Sequence, residues 1–229
     1  MDRVPRFDPD LLRFLAELRT HNNKEWFEKN RSRYERVYRD AFAAFIEAFR
    51  PKVKNLSPYL LADPRPVGGS LMRIYRDTRF SKDKSPYRTY TVAHFRHQDA
   101  RDESAPGLFL YVAPDEISAG GGLWHPEPGV ARKIRNAIAS HPSEWLAATS
   151  SPPFRRRFEL TGDSLKRPPP GFAANHPLIA DLLRKDFVAS TDVDRSEFTS
   201  PRFLRSYEEI AEQVSPMLKF LCNAVGLRF

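Results

Sequence analysis

The chain has 229 residues, of which 41% are hydrophobic, with 37 basic against 29 acidic side chains and a net charge of +8. Seventeen phenylalanines exclude a disordered chain. A single cysteine, Cys222, excludes a disulfide framework or a zinc site of several thiolates. No run of about 18 apolar residues spans a membrane, and the N-terminus carries no apolar leader, which together predict a cytoplasmic protein.

Asp8-Pro9-Asp10 opens a short helix with Leu11, Phe14, Leu15 and Leu18 on one face. Asn22 and Glu25 have the spacing of a capping box, and a long helix is expected from there to about Arg50, where Pro51 ends it or begins its last turn. Trp26, Phe27, Tyr34, Tyr38, Phe42, Phe45, Ile46 and Phe49 recur along it at three- and four-residue steps. After the loop at 63–69 the period changes to two. Leu71 to Arg76, Tyr87 to Arg96, Leu108 to Val112 and Glu116 to Ala119 read as strands, and their short connections predict an antiparallel meander. His97 to Pro106 reads as a polar, mobile loop.

Gly120-Gly121-Gly122 is expected to end the sheet. A helix follows with Pro128 in its first turn and Val130, Ile134 and Ile138 inward, then a second, capped by Ser143, with Trp145 and Leu146 inward. Residues 150–177 read as a long loop with one short strand at Phe158 to Leu160. Pro177 to Arg184 reads as a helix and Asp186 to Ser190 as a strand. A last long helix runs from about Arg202 to Val225. Helices before and after a sheet, with no separating linker, predict a single α+β domain over 1–229: a central, mostly antiparallel sheet flanked by helices, with long N-terminal and C-terminal helices.

Residues 72–88 hold the strongest functional lead. Seventeen residues contain six basic side chains, two carboxylates, three Ser and Thr hydroxyls and three aromatic rings. Arg73, Arg76, Arg79, Lys82, Lys84 and Arg88 are the candidate anion-binding residues, because guanidinium forks match the paired oxygens of phosphate and carboxylate. Asp77, Asp83 and Tyr87 are expected to orient them. The competing reading is an internal ion-pair network, Asp77 to Arg79 and Asp83 to Arg88, that only pins a loop.

Other clusters carry less. The three glycines lack the Lys-Ser/Thr ending of a phosphate loop, and a crowded strand end explains them. His94, His97 and Asp99 fall within six residues, but the two histidines should point to opposite strand faces, so no metal site is assigned. His125 and His176 each precede a proline; His176, beside Asn175, is the better candidate base. Cys222 lies on a buried helix face. Arg155-Arg156-Arg157, with Lys166 and Arg167, forms a second basic segment that would grip a nucleic-acid backbone if it shared a face with residues 73–88.

Several segments resemble the DUF2461 family of uncharacterised bacterial and fungal proteins: Phe14-Leu15 with Asn22-Asn23-Lys24-Glu25-Trp26-Phe27; Arg73 through Tyr87; Gly120-Gly121-Gly122-Leu123-Trp124; and Gly162 through Phe172 with His176-Pro177. Pro169 stands where that pattern carries a basic or polar residue. The resemblance points to no particular activity and leaves any cofactor unknown. The residues themselves favour a domain that binds an acidic small molecule through phosphate or carboxylate, with enzymatic action on it open. The alternatives are a nucleic-acid-binding module and a non-catalytic interaction protein whose charged segment is structural.

Overall fold

The computed structural model describes residues 5–99 and 105–229. Helix α1 (Asp10–Thr20) buries Leu11, Leu12, Phe14, Leu15 and Leu18. The long helical run follows as α2 (Lys24–Lys29), α3 (Arg31–Tyr34), a π-helical segment (Glu35–Asp40) and α4 (Ala41–Leu56). Its cap is Asn23, whose side chain accepts from the Trp26 N–H. The expected cap, Asn22, is engaged elsewhere. Pro51 does not stop the run, which continues to Leu56 with Val53 in the core. Proline removes one helical donor, and burial of the next turn outweighs that loss.

The sheet contains β1 (Thr91–Arg96), β2 (Gly107–Val112), β3 (Ile117–Leu123), β4 (Glu159–Thr161) and β5 (Phe187–Asp192). It is antiparallel throughout, in the order β1-β2-β3-β5-β4. Two expectations need correction. Leu71 to Arg76 forms no ladder and touches its partner only at the bridges Leu71↔Ala93 and Tyr75↔Tyr87. The glycine triplet does not end the sheet but lies within β3. There β5 comes so close that a Cβ on Gly120 would collide with the Ala189 carbonyl. The anticipated loop 97–106 is anchored at its described ends, where His97, Ala105 and Pro106 are buried. Its residues 100–104, like residues 1–4, lie outside the described residues.

Beyond β3 come α5 (Pro128–Ser140), α6 (Pro142–Thr149), α7 (Pro152–Arg157), α8 (Ile179–Leu182), α9 (Arg195–Phe198) and α10 (Phe203–Val225). Pro142, suited to a first turn, starts α6, so Ser143 lies inside it rather than capping it. Trp145 is buried, as expected, but Leu146 is exposed. Helix α7 falls in the stretch read as loop: Ser151 caps it and Phe154 anchors it. The helix expected over Pro177 to Arg184 shrinks to α8, and the short strand shifts by one residue to β4.

Helix α10 packs on one sheet face. A Cβ on Gly121 would meet the Leu218 side chain at 3.1 Å, so the absent side chain is what lets the helix approach. Ile210, Val214, Leu218 and Leu221 of α10 are buried, each contributing about 1.5–3 kcal/mol. They join Phe45, Phe49, Phe95 and Tyr207 in one continuous core. Side chains on the other sheet face, such as Val92 and His94 of β1, are only half-buried. Among the described residues, no helix is long and apolar enough to cross a membrane.

Candidate functional site

The charged segment hangs from β1 as an irregular ribbon. Arg76 N–H donates to the Pro86 carbonyl (2.9 Å) and Arg88 N–H to the Ile74 carbonyl (2.8 Å). Between these bonds Tyr87 is buried, its ring stacked on Phe27 at 4.0 Å. Asp83 accepts from both the N–H (2.9 Å) and the hydroxyl (2.7 Å) of Ser85, and this local turn aims its carboxylate at Arg76. The Ser85 bonds and then the Arg76 guanidinium hold Asp83 far below the ordinary carboxylate range. Arg76 also donates to the Ser85 carbonyl at 3.2 Å.

Arg76, Asp83, Ser85, Tyr87 and Arg88 line a cavity of about 430 Å³. Arg19 and Asn22 from the end of α1, with Thr89 and Tyr90, complete it. Arg88 Nη1 donates to the Tyr90 hydroxyl at 2.9 Å, while its Nε is buried without a hydrogen-bond partner. Arg19 pairs with Asp115 of the β2–β3 turn at 2.6 Å. Three arginines thus line this space, Arg76 paired with Asp83 and Arg19 with Asp115.

The other four predicted cations lie outside the cavity lining. Arg79 is bound by Asp77 (2.7 Å), whose carboxyl is lowered by that pairing. Lys84 donates to the Thr78 carbonyl at 2.9 Å. Arg73 and Lys82 are exposed. The anticipated Asp77–Arg79 pair therefore forms, whereas Asp83 takes Arg76 and not Arg88, because its Ser85 turn points it across the ribbon. Arg19, which no local pattern in 72–88 could mark, is the cation that sequence reasoning missed.

His176 lines neither this cavity nor a larger one on the sheet, and its Nδ1 accepts from the Leu178 N–H at 3.0 Å. His125 is more constrained. Its backbone has φ +46°, its N–H donates to Asp186 Oδ1 (2.7 Å), and its Nδ1 lies 2.9 Å from the same oxygen. Asp186 is fully buried, and its other oxygen accepts from the Asp163 N–H at 2.9 Å. His97 has both ring nitrogens engaged, by the Asp99 N–H and the Arg228 carbonyl, while His94 faces the opposite side of the sheet. Among the described residues no cluster of ligands could hold a metal ion. Cys222 is buried, which pushes its thiol up to about 12.

Arg155 to Arg157 belong to α7, next to β4 at one edge of the sheet, and residues 73–88 adjoin β1 at the other. Four strand spacings separate β1 from β4, roughly 19 Å, so the two basic segments sit at opposite edges of the sheet.

The family model described as "Conserved hypothetical protein (DUF2461)" matches residues 10–220. No curated protein and no solved structure matches the chain.

Proposed function

Since the chain belongs to the DUF2461 family, whose description carries no activity, its function has to be read from its own residues, and we propose that it binds the phosphate or carboxylate group of a small molecule between Arg19, Arg76 and Arg88. The observation that carries this reading is Arg88. One of its donors is held by Tyr90 while Nε is buried with no acceptor, and a buried unsatisfied donor costs about 1–3 kcal/mol. An anion brought into the cavity supplies acceptors in a space lined by three arginines. Asp83 holds Arg76 in place, and Asn22 fixes the ribbon through Tyr87.

A small anion is favoured over nucleic acid by the face that joins the two basic segments. It carries Glu116, Glu159 and Asp192, which repel a phosphate backbone laid across it. A nucleic-acid ligand would also show a steep loss of affinity with salt.

The test is thermal denaturation with inorganic phosphate, phosphorylated metabolites, carboxylates and short DNA and RNA, for the wild type and Arg19→Ala. Arg19 is half-exposed, so its removal leaves the core intact. A ligand that binds the native state raises the melting temperature by mass action. The expected result is a shift with one class of small anion that shrinks in Arg19→Ala, whose own melting temperature stays near that of the wild type. No shift from any anion in the wild type overturns the reading and leaves the segment as a structural network.

A further inference from the structure

The sheet face opposite α10 forms a cavity of about 940 Å³, the size of pocket that takes a drug-sized ligand. Strand register explains its shape. One row across the sheet runs Phe109–Gly120–Ser190–Glu159, and the next runs Gly107–Gly122–Val188. Three glycines in adjacent strands leave the middle of the floor as bare backbone. A parallel row runs Tyr111–Ser118–Asp192 along one wall.

The walls differ in charge from the rest of the chain. Among the described residues, Glu116, Glu159 and Asp192 line the cavity against one basic side chain, Arg157. Among the described residues none of these carboxylates forms a salt bridge, unlike Asp77 and Asp83 in the basic ribbon. His94 also lines the cavity; burial and the charge of Arg96 lower its pKa to about 4, so at neutral pH it adds no positive charge and offers an acceptor nitrogen. Arg96 itself reaches the Gly68 carbonyl at 3.4 Å. Among the described residues of a chain of net charge +8, this hollow is thus acidic, net −2 from three carboxylates and one arginine.

The same walls are aromatic. The rings of Tyr90 and Tyr111 lie 5.4 Å apart, and Trp124 at the rim is 55% exposed. Aromatic faces and carboxylates together select cations with apolar bodies. Tyr111 and Asp192 are two strand spacings apart, about 10 Å, which a flat ring with a short amine arm can bridge.

We propose that this hollow binds a small organic cation of the arylalkylamine class, with its ring against Tyr111 and Tyr90 and its ammonium between Asp192 and Glu159. The site is distinct from the arginine-lined cavity, although Tyr90 belongs to the walls of both.

Titration calorimetry with tryptamine tests the proposal, using 3-indolepropionate as a probe with the same ring and opposite charge. The expected result is saturable binding of tryptamine, at least about tenfold weaker for 3-indolepropionate, a difference of about 1.4 kcal/mol. Glu159→Gln combined with Asp192→Asn should weaken tryptamine by at least the same factor, while Arg19→Ala should leave it unchanged. Both acidic residues are exposed, and the comparison of the two probes on the wild type needs no variant. Absence of tryptamine binding, equal binding of the two probes, or unchanged binding in the double variant each overturns the proposal. A loss in Arg19→Ala alone would move the amine to the arginine cavity and overturn it equally.

Discussion

Asn22 completes the backbone hydrogen bonding of Tyr87 as a neighbouring strand would. Its Nδ2 donates to the Tyr87 carbonyl at 2.9 Å and its Oδ1 accepts from the Tyr87 N–H at 3.0 Å. In an antiparallel ribbon every second residue turns both groups outward; at Tyr87 one side-chain amide satisfies both. This contact ties the end of α1 to the charged ribbon and sets Arg19 beside Arg76 and Arg88. Asn22→Ala leaves a donor and an acceptor unpaired, at about 1–3 kcal/mol. For a chain of this length that lowers the melting temperature by roughly 3–10 °C. Asn23→Ala removes only a helix cap, typically about 1 kcal/mol, and should cost less. Calorimetric melting of both variants checks the order; a larger drop for Asn23→Ala would contradict it.

The glycines of β3 should respond unequally to alanine. Gly122 has φ +148°, and a Cβ there would collide with the Phe187 carbonyl of β5, which has no flexible end to move. At Gly121 the nearest obstacle is the Leu218 side chain at 3.1 Å, which can rotate, and the Gly107 carbonyl at 3.2 Å is a mild crowding rather than a collision. Gly121→Ala should therefore fold with a loss of about 1–3 kcal/mol, typical of mild overpacking. Gly122→Ala should unfold or shift strand pairing. Far-ultraviolet dichroism with urea unfolding of the two variants separates the cases; similar midpoints would contradict the assignment.

His94 gives stability a pH dependence. Its folded pKa lies near 4 against an ordinary value of 6.5, chiefly because burial disfavours the charged ring. Between these values the unfolded chain binds more protons than the folded one, so stability falls as pH drops. The contribution is fully present above about pH 6.5 and is lost as pH falls through about 4. His94→Gln, which cannot protonate, should flatten the change in melting temperature over that window. Carboxylates contribute at lower pH: the contribution of Asp10, held at about 2 mainly by hydrogen bonding from Arg33, is lost as pH falls from its ordinary value of 3.8 through about 2. Equal slopes for wild type and His94→Gln between pH 6.5 and 4 would exclude His94 as the source.

Legibility in the sequence followed the range of the interactions. Phe42, Phe45, Ile46 and Phe49 announced their helix because one buried face repeats every turn, and α10 was readable for the same reason. The Asp77–Arg79 pair, two residues apart, was also legible. What escaped depends on distant partners. Leu71 to Arg76 has strand periodicity, yet the hydrogen-bonding groups of Tyr87 go to a side chain 65 positions away. Helix α7 was hidden under two prolines and three arginines, although Ser151 followed by proline was a usable start signal. Arg19 enters the cavity from α1, and the His125–Asp186 contact spans 61 positions.

Asp186 should prove the most sensitive carboxylate in the fold. Fully buried, it accepts two backbone N–H groups, from His125 and Asp163, and faces His125 Nδ1. A Cβ on Gly162 would collide with it, so the loop after β4 closes directly over the carboxylate. Asp186→Ala strips acceptors from two donors at once, at about 1–3 kcal/mol each, and should lower the melting temperature by roughly 5–20 °C. His125→Ala removes only the exposed ring and relieves no buried donor, so it should cost far less. In the wild type, His125 Nδ1 lies 2.9 Å from Asp186 Oδ1, a placement that favours a proton on Nδ1, and ring ¹⁵N shifts should report that tautomer for His125. Asp186→Ala should release the ring to the usual mixture of tautomers if the protein still folds. A melting temperature within about 1 °C of wild type for Asp186→Ala would show that solvent replaces the carboxylate and that the two loops are held by other contacts.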